Sequence, residues 1–134
     1  MTRLVRFRGR AVRHGHRRGA GAVMNGTEAA YAAQLELLRA AGEIAEYAFE
    51  AERLRVSYAA VPNAKNDGAS AWYTPDFRVV LADGTIEMHE VKGHWEEAAL
   101  VRIRVAADEH PYVFRVVRSV RQRGAYRFTS EQVQ

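Results

Sequence analysis

The chain has 134 residues, of which 48% are hydrophobic and 27% are charged, and its formal net charge is +4. This length predicts one domain around a single core, and the composition excludes an intrinsically disordered chain. No apolar run approaches the ~20 residues of a membrane-spanning helix, so we expect no membrane partner. The absence of cysteine excludes disulfide scaffolds, thiolate metal sites and cysteine nucleophiles.

The charges are segregated along the chain. Residues 1–27 contain seven arginines and no acid, residues 28–109 carry a net charge of −7, and residues 110–134 carry +4. An acidic centre between two basic ends indicates a polyanion contacted by the ends and a cation held near the middle. Basic tails that are merely solvated would give the same charge pattern.

Residues 1–24 are predicted to be a flexible basic arm. This segment lacks the apolar core and the cleavage site of a secretory signal. His14 and His16 are interpreted as polar residues of the arm and not as metal ligands. The sequence leaves open whether translation starts at Met1 or at Met24.

The first predicted helix begins after Asn25. Asn25 can cap it, Glu28 stands at the acidic position of a capping box, and Gly42 closes the C-terminus. Tyr31, Leu35 and Leu38 repeat at helical spacing and predict the buried side. Glu28 lies seven residues before Leu35 and is therefore expected on that buried side.

Strands and one more helix follow. Residues 44–58 are predicted to be extended with a break near Glu52, because the parity of the apolar positions changes there. A surface loop, two strands, a helix, a buried strand and an edge strand come next, at residues 62–70, 72–81 and 85–92, 95–109, 112–117 and 126–128. The order α-β-β-β-α-β predicts an α/β fold with a mixed sheet flanked by helices.

The loop between the two central strands sets their register. Residues 82–84 suit a three-residue hairpin loop with Gly84 in the left-handed conformation. Asp76 then faces Glu90 across the hairpin, with Cβ atoms about 4.5–5.5 Å apart. Lys92 lies on the same face as Glu90 because side chains alternate along a strand. Like charges placed opposite each other destabilise a sheet, so this pair predicts a divalent cation between them.

Hard oxygen ligands without cysteine favour Mg²⁺, for which Mn²⁺ can substitute, over zinc. Lys92 could hold the attacking water or stabilise the transition state, and Glu28 could supply a third carboxylate. Each residue also has a purely structural interpretation. Glu90 and Lys92 could be an exposed cross-strand pair, Asp76 a turn residue, and Glu28 only the capping acid.

These residues carry a family resemblance. Pro75-Asp76 with Glu90-Val91-Lys92 resembles the signature of the PD-(D/E)XK nucleases, and residues 25–117 resemble its small phage-encoded members, such as the Holliday-junction-resolving phage endonuclease I. The resemblance implies a restriction-endonuclease-like core. It also implies that Asp76, Glu90 and the Val91 carbonyl bind metal, that Lys92 is catalytic, and that Glu28 completes the site.

The expected function is a Mg²⁺-dependent DNA endonuclease for branched or recombination-intermediate DNA in phage replication. Its expected location is the cytoplasm of an infected bacterial host, with a homodimer as a possible assembly. The expected DNA contacts are arginines of the arm, of the second helix and of the basic extension 118–134: Arg3, Arg6, Arg8, Arg10, Arg13, Arg17, Arg18, Arg102, Arg104, Arg118, Arg121 and Arg123. Family members often have lysines where this chain has Arg102 and Arg104, and a guanidinium preserves phosphate contact.

Two other classes of protein remain open from the sequence. A non-catalytic nucleic-acid-binding module would retain the fold and the basic ends but not the hydrolysis. A structural phage protein with incidental basic tails would bind DNA weakly and without a response to divalent metal.

Overall fold

The computed structural model describes residues 23–57 and 71–134. The predicted arginine contacts from Arg3 to Arg18 and the predicted loop at residues 62–70 lie outside the described residues. The described part contains two helices and seven strands, in the order α1 (Gly26–Ala40), β1 (Ile44–Phe49), β2 (Leu54–Ser57), β3 (Ala71–Tyr73), β4 (Phe77–Leu81), β5 (Ile86–Lys92), α2 (Glu97–Glu109), β6 (Val113–Gln122) and β7 (Ala125–Gln132).

Helix α1 confirms the predicted caps. The Asn25 side chain accepts a hydrogen bond from the Glu28 N–H, and the Glu28 carboxylate accepts one from the Asn25 N–H, both at 2.8 Å. Gly42 has a φ of +83°, and the next N–H reaches back to Leu38, which together close the helix. Glu28 is buried with Tyr31, as its spacing predicted.

The fold is a mixed α/β arrangement, as predicted. Five strands form one sheet in the order β1-β4-β5-β6-β7, in which β5 and β6 are parallel and the other neighbours are antiparallel. Strands β2 and β3 form a separate two-stranded sheet. No helix in the described ranges is long and apolar enough to cross a bilayer.

The two faces of the large sheet each pack against one helix. Helix α1 covers a cluster that includes Tyr31, Leu35, Phe77, Val79, Val91 and Val117. Helix α2 covers a second cluster that includes Met88, Ile103, Ala106, Phe114 and Val116. Residues of β5 with odd numbers therefore face α1, and those with even numbers face α2.

The predicted register of the central hairpin is confirmed. Phe77 pairs with His89 and Val80 with Ile86, and Gly84 has a φ of +94° in the loop. The same register, continued by one residue, places Asp76 opposite Glu90.

The prediction of one strand over residues 72–81 was wrong. The chain forms β3 and β4 instead, separated by Thr74, Pro75 and Asp76, and the two strands belong to different sheets. Pro75 has no N–H to contribute to a ladder, so pairing is interrupted there.

Other boundaries also differ from the predictions. Helix α2 begins at Glu97, two residues later than predicted, although Trp95 still packs against the cluster under α2. The strand predicted at residues 112–117 runs as β6 to Gln122 because β7 pairs along it. The predicted edge strand is confirmed as β7, and it is longer than residues 126–128.

Candidate active site

The candidate site lies where two neighbouring strands bend together. The chain breaks between β1 and β2 at Glu50, which has a φ of +47°, close to the predicted break near Glu52. The partner strand breaks between β3 and β4, and the Glu50 N–H donates to the Asp76 carbonyl at 2.8 Å. Both strands thus leave the large sheet at the same level. The paired bends place Asp76 at the end of β4, beside the last residues of β5.

Asp76 and Glu90 are two neighbouring carboxyl groups that are largely shielded from water. Asp76 is 6% exposed, and the Glu90 side chain is 12% exposed. Burial raises the pKa of Asp76 well above its usual range, and the charges of Glu90 and Glu28 raise it further. Burial also raises the pKa of Glu90, although hydrogen bonds and Lys92 partly oppose that rise. A positively charged group between these carboxylates would lower the free-energy cost of burying two negative charges close together.

The backbone of Val91 completes this part of the site. Its N–H donates to Asp76 Oδ2 at 2.9 Å. In the same hairpin, the Leu81 N–H donates to the Thr85 carbonyl, so Leu81 and Thr85 form a hydrogen-bonded pair. Hydrogen-bonded pairs recur at every second position of an antiparallel ladder. Position 75 is therefore the residue that would exchange both backbone hydrogen bonds with Val91. Position 75 is a proline, which has no N–H to give to the Val91 carbonyl. The predicted role of that carbonyl as an oxygen ligand is therefore compatible with the ladder.

Glu90 is held by two partners. The Tyr73 hydroxyl donates to Glu90 Oε1 at 2.7 Å, and Lys92 Nζ lies 3.6 Å from Glu90 Oε2. Burial and the neighbouring carboxylates raise the pKa of Tyr73 well above its usual value, so it remains a protonated donor. Sequence reasoning missed Tyr73, because its orientation depends on the strand break that separates it from β4.

The capping role of Glu28 is confirmed, and its role as a further carboxylate of a metal site stays a prediction. Its carboxylate accepts the capping bond from Asn25, and its charge contributes to the raised pKa of Asp76. The structure therefore brings Glu28 within electrostatic range of Asp76 while its hydrogen bond serves the helix. Asp76, Glu90 and Lys92 lie together at one end of the large sheet, and Glu28, which precedes Lys92 by 64 positions in the chain, lies within electrostatic range of Asp76.

The donor set fits a hard divalent cation. Among residues 23–57 and 71–134, no three His, Asp or Glu side chains converge as a ready group of metal ligands. Mg²⁺ commonly uses only one or two carboxylates and completes its octahedron with water and substrate phosphate. Asp76, Glu90 and the Val91 carbonyl are oxygen donors of that kind, and Glu28 stands further out.

Three of the predicted arginine contacts surround this end of the sheet. Arg102 is exposed on α2. Its positive charge lowers the pKa of Tyr73 slightly, although burial, the larger effect, raises this pKa. Arg118 pairs with Lys92 across β5 and β6, and its guanidinium lies 5.9 Å from the Trp95 ring centre. Arg104 and Arg118 line one shallow cavity of about 220 Å³. Of the remaining two described residues predicted to contact DNA, Arg121 lies near the end of β6 and Arg123 lies in the turn between β6 and β7.

A second polar cluster, which sequence reasoning also missed, lies on the opposite face of β5. His89 contacts the Tyr31 hydroxyl through Nδ1 and Glu87 through Nε2, both at 2.8 Å. Arg115 Nε donates to the same Glu87 oxygen at 3.0 Å. Burial would raise the pKa of Glu87, but the bonds from His89 and Arg115 outweigh it and leave this pKa below its ordinary value. This cluster neutralises its own charge.

Comparison with known proteins gives no match to any family model, curated protein or solved structure. The resemblance to PD-(D/E)XK nucleases, carried by Pro75-Asp76 and Glu90-Val91-Lys92, therefore stays a prediction from the sequence.

Proposed function

We propose that this protein is a metal-dependent DNA endonuclease with a PD-(D/E)XK active site on a restriction-endonuclease-like core. The observation that carries the proposal is the desolvated pair of Asp76 and Glu90 beside Lys92, with the pKa of both carboxyl groups raised. Strained like-charge pairs of this kind are concentrated at functional sites.

Each residue of the site has a role in phosphodiester hydrolysis. Asp76, Glu90 and the Val91 carbonyl would hold Mg²⁺, which polarises the scissile phosphate and lowers the pKa of bound water. The Lys92 ammonium is close enough to Glu90 to remain at the site and stabilises negative charge that develops on the phosphate. The water oxygen would form the new bond to phosphorus while the bond to the leaving sugar oxygen breaks. The proton of the water would pass to solvent, and the leaving oxygen would take up a proton from solvent.

Tyr73 and Glu28 support these residues. The bond from Tyr73 fixes Glu90 Oε1 and leaves Oε2 on the side of Lys92. Glu28 adds negative charge near Asp76, which increases the affinity of the site for a cation.

The substrate we propose is branched DNA or a recombination intermediate in phage replication, in the cytoplasm of an infected bacterium. The arginine-rich ends of the sequence support a polyanionic substrate. A homodimer would suit the two symmetric cuts that a four-way junction requires.

The experiment that tests this function compares wild-type protein with Glu90→Ala on linear, nicked and four-way DNA, in Mg²⁺ or in EDTA. We expect the wild type to cut in Mg²⁺ only, with four-way DNA as its best substrate, and we expect Glu90→Ala to be inactive. Absence of cutting on all three DNAs, or equal cutting by both proteins, would contradict the proposal.

One observation favours a second candidate function, a nucleic-acid-binding module without hydrolysis. The Glu28 carboxylate already serves the capping box, and no three acidic or histidine side chains of the described ranges form a ready ligand group. Such a module would bind DNA tightly in the same assay and would cut none of the DNAs at any Mg²⁺ concentration.

A further inference from the structure

The β6–β7 hairpin extends beyond the rest of the large sheet. Strand β5 ends at Lys92, which pairs with Arg118 of β6. Beyond that pair, residues 119–122 and 125–128 form ladder pairs only with each other in the part of the chain that the structure describes. Four residues at about 3.3 Å each give an overhang of about 13 Å. We call residues 118–128 the ribbon.

The ribbon has a defined shape and a fixed base. Arg123 and Gly124 have φ values of +51° and +80°, which is the pattern of a two-residue turn that follows the natural twist of a hairpin. The Tyr126 and Phe128 rings stack at 5.9 Å between centres, and Phe128 contacts Tyr31 of α1 edge to face at 5.0 Å. The ribbon is therefore held against α1, the helix that carries Glu28.

The ribbon is uniformly basic. It contains four arginines and no acidic residue: Arg118, Arg121, Arg123 and Arg127. Arg118 and Arg127 lie on the same face of the sheet as Glu90 and Lys92, because cross-strand partners share a face. Val120 lies between them and is 56% exposed.

The tip of the ribbon presents an open groove. Gln122, Arg123, Ala125 and Arg127 line a groove of about 360 Å³. On the other face of the ribbon, the Arg121 guanidinium lies over the Tyr126 ring, 4.8 Å from the ring centre. Arg121, Arg123 and Arg127 are all exposed. Arg123 lines the groove together with Arg127, whose guanidinium also donates to Gln122 Oε1 at 3.3 Å.

We propose that the ribbon enters the major groove of a B-form DNA duplex and sets the position of that duplex relative to the candidate active site. This inference rests on the proposed nuclease function. The major groove of B-DNA, about 12 Å wide, accepts a two-stranded β-ribbon, and its phosphate rims match the arginines. The major groove of an A-form RNA duplex is deep and narrow and does not accept one. The ribbon therefore discriminates DNA from RNA by shape.

The test measures binding, without metal, to a labelled 20-bp DNA duplex. All proteins carry Glu90→Gln, so that no cutting interferes. The ribbon variant adds Arg123→Gln and Arg127→Gln. The matched control adds Arg39→Gln and Arg53→Gln, which remove the same two charges from exposed or half-exposed positions outside the ribbon.

We expect the ribbon variant to lose about tenfold or more in affinity and the salt slope to fall by about 2, with little change in the control. Double-stranded RNA of the same sequence should bind more weakly than DNA to the unmodified ribbon. Methylation of guanine N7, which faces the major groove, should interfere with binding.

Equal losses in the ribbon variant and the control would overturn the proposal, as would equal binding of DNA and RNA or no interference from N7 methylation. Failure here is distinct from failure of the nuclease function, which is measured by cutting with the wild-type chain. A protein that cuts four-way DNA in Mg²⁺ but shows no dependence on the ribbon would retain the proposed function and lose only this inference.

Discussion

Strand β5 carries a carboxylate cluster on each of its faces, and the two clusters differ in how their charge is compensated. Glu87, which faces α1, receives bonds from His89 and Arg115, and its pKa lies below the ordinary value. Glu90, on the other face, shares its surroundings with Asp76, and burial raises the pKa of both. The charge of Glu87 is compensated by bonds within the protein, whereas a single ammonium, that of Lys92, lies beside the two buried carboxyl groups of the second cluster. The same strand therefore separates a structural polar cluster from a candidate catalytic one.

The sharpest test of this difference is Glu90→Gln. We expect a loss of activity on the order of 10³-fold or more, because an amide cannot supply the negative charge of a metal ligand. The metal-free variant should nevertheless be more stable than wild type, since a desolvated charge is removed and the Tyr73 bond can be kept. Cleavage kinetics and urea unfolding measure the two effects. A variant that is both inactive and less stable would contradict the comparison.

Glu87→Gln should give the opposite result. Removing the charge that Arg115 and His89 face is expected to destabilise the fold by about 3 kcal/mol. The activity of the protein that remains folded should be close to that of the wild type. Urea unfolding, together with activity normalised to the folded fraction, checks this expectation. Normal stability would mean that the Glu87 cluster contributes little to the fold.

Magnesium should stabilise only the Asp76–Glu90 cluster, in which a single ammonium, that of Lys92, lies beside two carboxyl groups. At a Mg²⁺ concentration 100 times its Kd, the wild type should gain about 2.7 kcal/mol of unfolding free energy. Glu90→Gln should gain much less, and Glu87→Gln should gain as much as the wild type. Thermal unfolding with and without Mg²⁺ measures the difference. An equal gain in all three proteins would indicate binding elsewhere.

The pH dependence of stability should also separate the clusters. The pKa of Asp76 is higher in the folded protein than in the unfolded chain, where it is about 3.9. The contribution of Asp76 to the free energy of unfolding is therefore fully present below the unfolded pKa and is lost as the pH rises through the folded pKa. Each unit of elevation corresponds to about 1.4 kcal/mol. Without metal, the wild type should therefore lose stability relative to Asp76→Asn as the pH increases above about 4. Urea unfolding at a series of pH values measures this loss. A difference in unfolding free energy between the wild type and Asp76→Asn that stays constant above a pH of about 4 would contradict the raised pKa of Asp76.

The smallest expected effect concerns Tyr73. Tyr73→Phe removes the bond that orients Glu90 and should weaken Mg²⁺ binding about tenfold, by analogy with other groups that orient metal ligands. Tyr47→Phe is the matched control, because Tyr47 donates to a carboxylate, Glu36, on the α1 side. Titration calorimetry with Mg²⁺ measures both variants. Equal Mg²⁺ affinities of the wild type and Tyr73→Phe would show that Tyr73 does not orient Glu90 for metal binding.

Local signals in the sequence were sufficient for part of this structure. The capping residues of α1 and the three-residue loop with Gly84 act over a few positions, and both were correctly predicted together with the register that brings Asp76 opposite Glu90. The burial of Glu28 followed from helical periodicity in the same way.

Other features depend on contacts between distant segments. Tyr73 reaches Glu90 only because two strands bend at the same level, and nothing in the residues around Tyr73 indicates that partner. The Glu87 cluster joins residues up to 84 positions apart in the chain, from Tyr31 to Arg115. The length of β6 was underestimated because its last residues are stabilised by β7 and not by their own hydrophobicity.

Gly93 gives the arrangement one more consequence. A Cβ atom at this position would lie 3.3 Å from the Ser119 hydroxyl, at the point where the ribbon leaves the sheet. Gly93 directly follows Lys92, so a larger side chain there would require Ser119 to shift by a few tenths of an ångström beside the residue that carries the ammonium. Position 93 therefore connects the candidate site to the base of the ribbon, and a side chain introduced there would press on the ribbon through Ser119.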